Sequence, residues 1–126
     1  MNQIEALNTI GRLSSTQIKI LQTLANMVKQ REAEAERMAL NSIHHTYRLT
    51  MEDQRAMFPD SMNEADIIEK MWRELDSLRM SCIHRLKGAT VQCDNWILKF
   101  SRNIHDHSLY IMVDKNMLDE YRALAR

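Results

Sequence analysis

Both cysteines of the 126-residue chain, and three of its five histidines, fall within residues 82–107, CIHRLKGATVQCDNWILKFSRNIHDH. Thiolates and imidazoles close together would make a soft-metal site. Helical phase argues against one. Cys82 and His84 are two apart on a predicted helix over 61–87, and at ~3.6 residues per turn they point to nearly opposite sides. Cys82 also falls in phase with an apolar stripe, as a small buried thiol would. Cys93 lies on a predicted strand. His105 and His107 share a face only if the following strand extends back to them. Paired C-x₂-C zinc knuckles are absent. The reading is therefore no metal and no cofactor, with one core cysteine, one sheet cysteine and polar loop histidines. Two cysteines in such a chain are expected as reduced thiols in a cytosol-like compartment.

No other residue cluster reads as a catalytic centre. His44-His45 and Glu52-Asp53 are adjacent pairs on a predicted helix, so the members of each pair diverge, and solvent or interface polarity is the expected role. The sequence has no P-loop, dinucleotide fingerprint, nucleophile elbow or H-E-x-x-H. The expectation is a non-enzyme. Lys plus Arg equals Asp plus Glu at 17 each, which argues against a dedicated nucleic-acid binder while allowing a local basic patch. No apolar run is long enough to span a membrane, and the N-terminus has no signal-peptide pattern. The expected location is cytoplasmic.

The elements that would position these residues are few and long, because the chain has two glycines and one proline. Asn2 with Glu5 suggests an N-cap pair, with Gly11 as a stop. Ser14 and Gln17 have capping-box spacing, with Leu13 and Ile18 placed as a hydrophobic staple. From Ser14 the apolar spacing continues to Phe58 without an obvious stop. A continuous helix 14–58 would span roughly 65 Å at ~1.5 Å per residue, although a break near Asn41-Ser42 or His44-His45 is open. Pro59 marks a boundary, and Ser61 with Glu64 repeats the capping-box spacing. A return helix to about Lys87 follows, with stripe Ile68, Met71, Leu75, Leu78, Cys82 and Leu86, and Gly88 as its cap. Then TVQCDNWILKF and SLYIMVD read as strands over about 90–100 and 108–113. Asp114 or Asn116 would cap a last helix.

The expected fold is thus predominantly α (α+β), a single domain over 1–126. It consists of N-terminal helices (1–58), a return helix (61–87), a β-hairpin (89–113) and a C-terminal helix (114–126). The long antiparallel helical hairpin leaves an overhang, since the return helix covers only about 37 Å of its partner. Ile18, Leu21, Leu24, Met27 and Val28 would then self-associate in a coiled-coil-like homodimer or bind a protein partner. Trp96, Phe100 and Tyr110 on the hairpin would pack or contact that partner. A helix broken near residue 41 and folded into a compact monomer is the competing arrangement. The function expected first is a protein-binding regulator, adaptor, inhibitor or subunit.

LSSTQIKILQTL resembles the L-[ST]-x-x-Q-x-x-[IL]-L opening of the second helix in MarR-type winged-helix regulators. The resemblance covers about twelve residues. It implies a β-hairpin wing over residues 90–113, with Lys99 and Arg102 near its tip. The chain departs from that family where two short helices, the second reading the major groove, should follow; a long charged helix is expected there instead. The resemblance supplies the alternative function, a nucleic-acid-binding regulator with Arg73, Arg79, Arg85, Lys87, Lys99 and Arg102 as phosphate contacts.

Overall fold

The computed structural model describes residues 12–37 and 45–125. The expected Asn2 cap and Gly11 stop, and the possible break at residues 41–44, lie outside them. The first described helix, α1, runs Ser15–Arg37. Its capping box forms as the spacing predicts. The Ser14 backbone N–H donates to Gln17 Oε1 (3.0 Å), and the Gln17 N–H donates to Ser14 Oγ (3.1 Å).

The long helix 14–58 does not exist. By Thr46 the chain is in a strand, β1 (Thr46–Leu49), followed by a five-residue helix α2 (Met51–Arg55). The reason is long-range pairing. Tyr47 lies opposite Ile111 and Leu49 opposite Leu109 in an antiparallel ladder, and all four side chains are buried. Tyr47 and Leu49 alternate inward with half-buried Thr46 and exposed Arg48, which is strand periodicity. Thr50 then caps α2 reciprocally with Asp53.

The return helix is also shorter than expected. Helix α3 runs Glu64–Met80, and its N-cap is Asn63, not Ser61. It buries Ile67, Met71, Leu75 and Leu78. At Ser81 the backbone turns extended, and Asn95 Nδ2 donates to the Arg79 carbonyl (2.9 Å) at the helix end. Residues 82–87 are therefore strand β2 (Cys82–Lys87), which pairs with β3 (Thr90–Asn95). Gly88 does adopt the left-handed conformation, φ 60°, but in the hairpin turn and not as a helix cap. Burying Ile83 while exposing His84 and Leu86 follows the strand period.

The first predicted strand, about 90–100, also divides. Residues 90–100 hold β3 and the start of β4 (Lys99–Arg102), and β5 is Leu109–Met112. Two sheets result: three strands in the order β1-β5-β4, and the two-stranded β2–β3. Asp114 caps a 3₁₀ turn at Lys115–Met117, and α4 (Leu118–Leu124) follows with Met117 at its N-cap, so neither Asp114 nor Asn116 caps the last helix itself. The fold is mixed α/β, and neither a long helical hairpin nor a coiled coil is present among the described residues.

One core joins these parts. Ile20, Leu21, Leu24 and Val28 of α1 meet the buried face of α3, Leu109 and Ile111 of the sheet, and Met117 and Tyr121 near the C-terminus. Helix α4 packs on α1, and Arg122 Nε reaches Glu32 across them (2.9 Å). The surface predicted to overhang is thus covered by the chain itself. Trp96 is buried between β3 and β4; its carbonyl accepts from the Tyr121 hydroxyl, and the two rings meet edge-on at 5.8 Å.

Candidate nucleic-acid interface

Charge is segregated along the chain. Residues 60–76 hold six acidic and two basic side chains, whereas residues 79–102 hold five Lys or Arg and one acid, Asp94. The acidic segment falls on the exposed face of α3, where Asp66, Glu69, Glu74 and Asp76 outnumber Lys70 and Arg73. On this face Arg73 engages Glu69 at i,i+4, and Arg79 pairs at i,i+3 with Asp76 (3.0 Å). A helix face of this sign is repelled by phosphates.

The basic segment falls on the hairpins. Strand β2 carries Arg85 and Lys87 beside the turn at Gly88. A two-stranded ribbon of this kind is slim enough to enter a DNA major groove. On the outer face of the three-stranded sheet, register aligns Thr46, Met112 and Lys99 in one row, and Arg48, Tyr110 and Ser101 in the next. Lys99, Ser101, Tyr110 and Arg48 are exposed there. Arg48 is tied to Asp106 at 2.9 Å and to Ser108 Oγ at 3.2 Å. The Asp106 carboxyl is held below its ordinary range, chiefly by the N–H of Ser108 and then by the Ser108 and Arg48 side chains.

Arg102 stands apart from the other predicted contacts. Its guanidinium points inward and donates to the carbonyls of His107 (2.6 Å) and Ile68 (3.2 Å) and to Gln54 Oε1 (3.2 Å). Burial lowers its pKa from the ordinary arginine value. The buried Gln54 in turn donates to the carbonyls of Leu49, Thr50 and His107. This polar cluster ties α2, α3 and the β4–β5 turn together, so Arg102 is a structural residue.

The residues expected to bind a partner are dispersed. Leu21, Leu24 and Val28 are fully buried, and Ile18 and Met27 are half-buried. Trp96 is in the core. Phe100 is half-buried with its ring edge-on to Trp72, at 4.6 Å between centroids. Tyr110 is exposed on the sheet. Sequence reading missed the charge segregation, although the order of residues 60–102 contains it.

The cysteines also differ from expectation. Cys82 and Cys93 are joined by a disulfide across β2–β3, and His84 lies directly opposite Cys93. A strand, unlike the predicted helix, puts Cys82 and His84 on one face.

No protein-family model matches the sequence, and neither does any curated protein. Among solved structures, the chain is similar to the X-ray crystal structure of the WH1 domain of MSBI1.176, a replication protein isolated from a multiple sclerosis patient. The TM-score is 0.66 at 9% sequence identity, over 95% of this chain and 87% of that one. At that identity the likeness concerns the fold, which is of winged-helix type. The departure that separated this chain from winged-helix proteins was the long helix 14–58. Within residues 14–58 the described structure holds instead α1, the strand β1 and the short helix α2, and α3 follows. Among the described residues no helix is long and apolar enough to cross a membrane.

Proposed function

We propose that this chain is a nucleic-acid-binding domain of winged-helix type that acts by binding and not by catalysis. The observation carrying this reading is the fold likeness to the WH1 domain of a replication protein. Charge placement refines it. The acidic face of α3 faces away from the phosphates, and the contacts come from Arg85 and Lys87 on β2 and from Lys99 on β4. Arg102 holds the fold behind them. The protein-binding reading retains one supporting observation, the exposed pair Leu86 and Val91, 66% and 65% accessible on the β2–β3 hairpin.

The test is equilibrium binding of a fluorescent DNA duplex across a salt series. Phosphate-driven binding gives log K falling linearly with log salt, with a slope of about −0.9 per neutralised phosphate. Two or three such contacts are expected from the hairpins. Absence of binding to duplex DNA and to RNA at low salt would overturn the reading.

A further inference from the structure

The outward face of the β2–β3 hairpin carries donor atoms that nucleic-acid binding does not use. His84 and Cys93 are a directly opposed pair in the ladder. Cys82 sits two residues before His84 on the same strand, so its side chain leaves the same face. The Sγ atoms of Cys82 and Cys93 and a ring nitrogen of His84 all lie within 4.8 Å of one another. Cys82 is half-buried, and His84 and Cys93 are exposed. The opposite face of the ribbon turns its Ile83 and Asp94 into the protein, which fixes the direction in which the three donors point.

Two sulfurs and one imidazole are soft to intermediate ligands, which suit zinc and disfavour the oxygen-seeking calcium and magnesium. Zinc takes sulfur at about 2.3 Å and nitrogen at about 2.0–2.1 Å in a tetrahedron. Its ligand atoms are then separated by roughly 3.3–3.8 Å, within the spread already present here. Side-chain torsions alone can bring these donors to that spacing. The flanking strands are paired over the whole of 82–87 and 90–95, so the backbone is already in place.

We propose that Cys82, His84 and Cys93 form a three-ligand zinc site on this hairpin, open in the reduced protein and closed by the Cys82–Cys93 disulfide. The two states exclude each other, because sulfurs bonded to each other are not thiolates. A dithiol reductant supplies two electrons and two protons, the S–S bond breaks into two thiols, and the dithiol becomes a disulfide. Zinc then displaces the two thiol protons to solvent, and neutral His84 donates its ring-nitrogen lone pair. The fourth position of the tetrahedron faces water. Either link, covalent or metallic, ties the two strands of a ribbon whose tip is not held by the core.

The test uses the full chain, reduced with a phosphine that does not chelate metal, and Co²⁺ as a spectroscopic stand-in. The expected result is one cobalt per chain, with thiolate-to-cobalt charge-transfer absorption in the near ultraviolet and d–d bands of tetrahedral type, all abolished by one equivalent of Zn²⁺. The oxidised protein should show none of these bands. His84→Ala and Cys93→Ser should each weaken zinc binding at least tenfold, since even outer-shell losses cost about 10–100-fold. The far-ultraviolet circular dichroism of each reduced variant should match that of the reduced wild type, because both side chains are exposed and the disulfide is open in all three. His84→Ala should still form the disulfide, which separates loss of a ligand from loss of the hairpin. A folded, reduced protein without a thiolate–cobalt band would overturn the proposal. Zinc affinity equal in wild type, His84→Ala and Cys93→Ser would overturn it too.

Discussion

The two β-hairpins are built alike and held differently. Both are antiparallel, and both turn through a residue with φ near 60°, Gly88 in one and His107 in the other. Strand β5 of the second hairpin is flanked by β1 and β4 and buries Leu109 and Ile111 completely. Its turn is closed by backbone bonds between Asn103 and both His107 and Ser108, and by the inward Arg102. The β2–β3 hairpin pairs only with itself, leaves Leu86 and Val91 in solvent and carries a covalent cross-link. Two strands alone are marginal in water. The difference teaches that the sheet-anchored hairpin is held by burial, whereas the free one depends on its link and carries the Cys82–His84–Cys93 cluster.

The largest test of this contrast is to truncate one apolar residue in each hairpin. Ile111→Ala should cost about 2–5 kcal/mol in denaturant unfolding, as removal of a large core side chain does. Val91→Ala should stay within about 0.5 kcal/mol, as exposed substitutions do. Comparable losses at both sites would erase the distinction.

Reduction of the disulfide comes next. Closing a loop of this size restricts the unfolded chain by about 3 kcal/mol. Metal-free reduced protein should therefore exchange the amide hydrogens of residues 82–95 faster, while those of residues 99–112 keep their protection. Hydrogen exchange read by mass spectrometry checks this, and uniform acceleration over both hairpins would contradict it.

The junction between the hairpins gives a smaller, pH-dependent effect. Burial holds the Tyr121 phenol far above its ordinary value of 10.0, and burial also raises Tyr47. Above about pH 10 the unfolded chain loses these protons and the folded chain keeps them, so stability falls as pH rises; below that pH the contribution is fully present. Tyr121→Phe should flatten the alkaline fall in thermal unfolding. It should cost about 1–3 kcal/mol at neutral pH, because the Trp96 carbonyl loses its donor.

Local signals were legible in the sequence where they act alone. The Ser14–Gln17 capping box and the positive φ of Gly88 stand where residue chemistry puts them. The elements around them were not legible where distant residues decide. TYRL fits a helical stripe by spacing, but β5 makes it a strand. CIHRLK offers Cys82 and Leu86 at helical spacing, and its pairing with residues 90–95 makes it a strand; short runs are easily misassigned in this way. That one misjudged period hid the Cys82–His84–Cys93 cluster, because opposite faces of a helix become one face of a strand. The charge contrast between residues 60–76 and 79–102 needed no structure, only its reading along the chain.

The most direct measurement of the functional account compares two charge reversals on duplex DNA at low salt. Lys87→Glu, on the free hairpin, is expected to weaken binding at least tenfold and to reduce the salt slope by about 1. Lys70→Glu, on the acidic face of α3, is expected to leave both nearly unchanged. The reverse pattern, with Lys70→Glu abolishing binding and Lys87→Glu silent, would contradict the account by making α3 the surface that meets DNA.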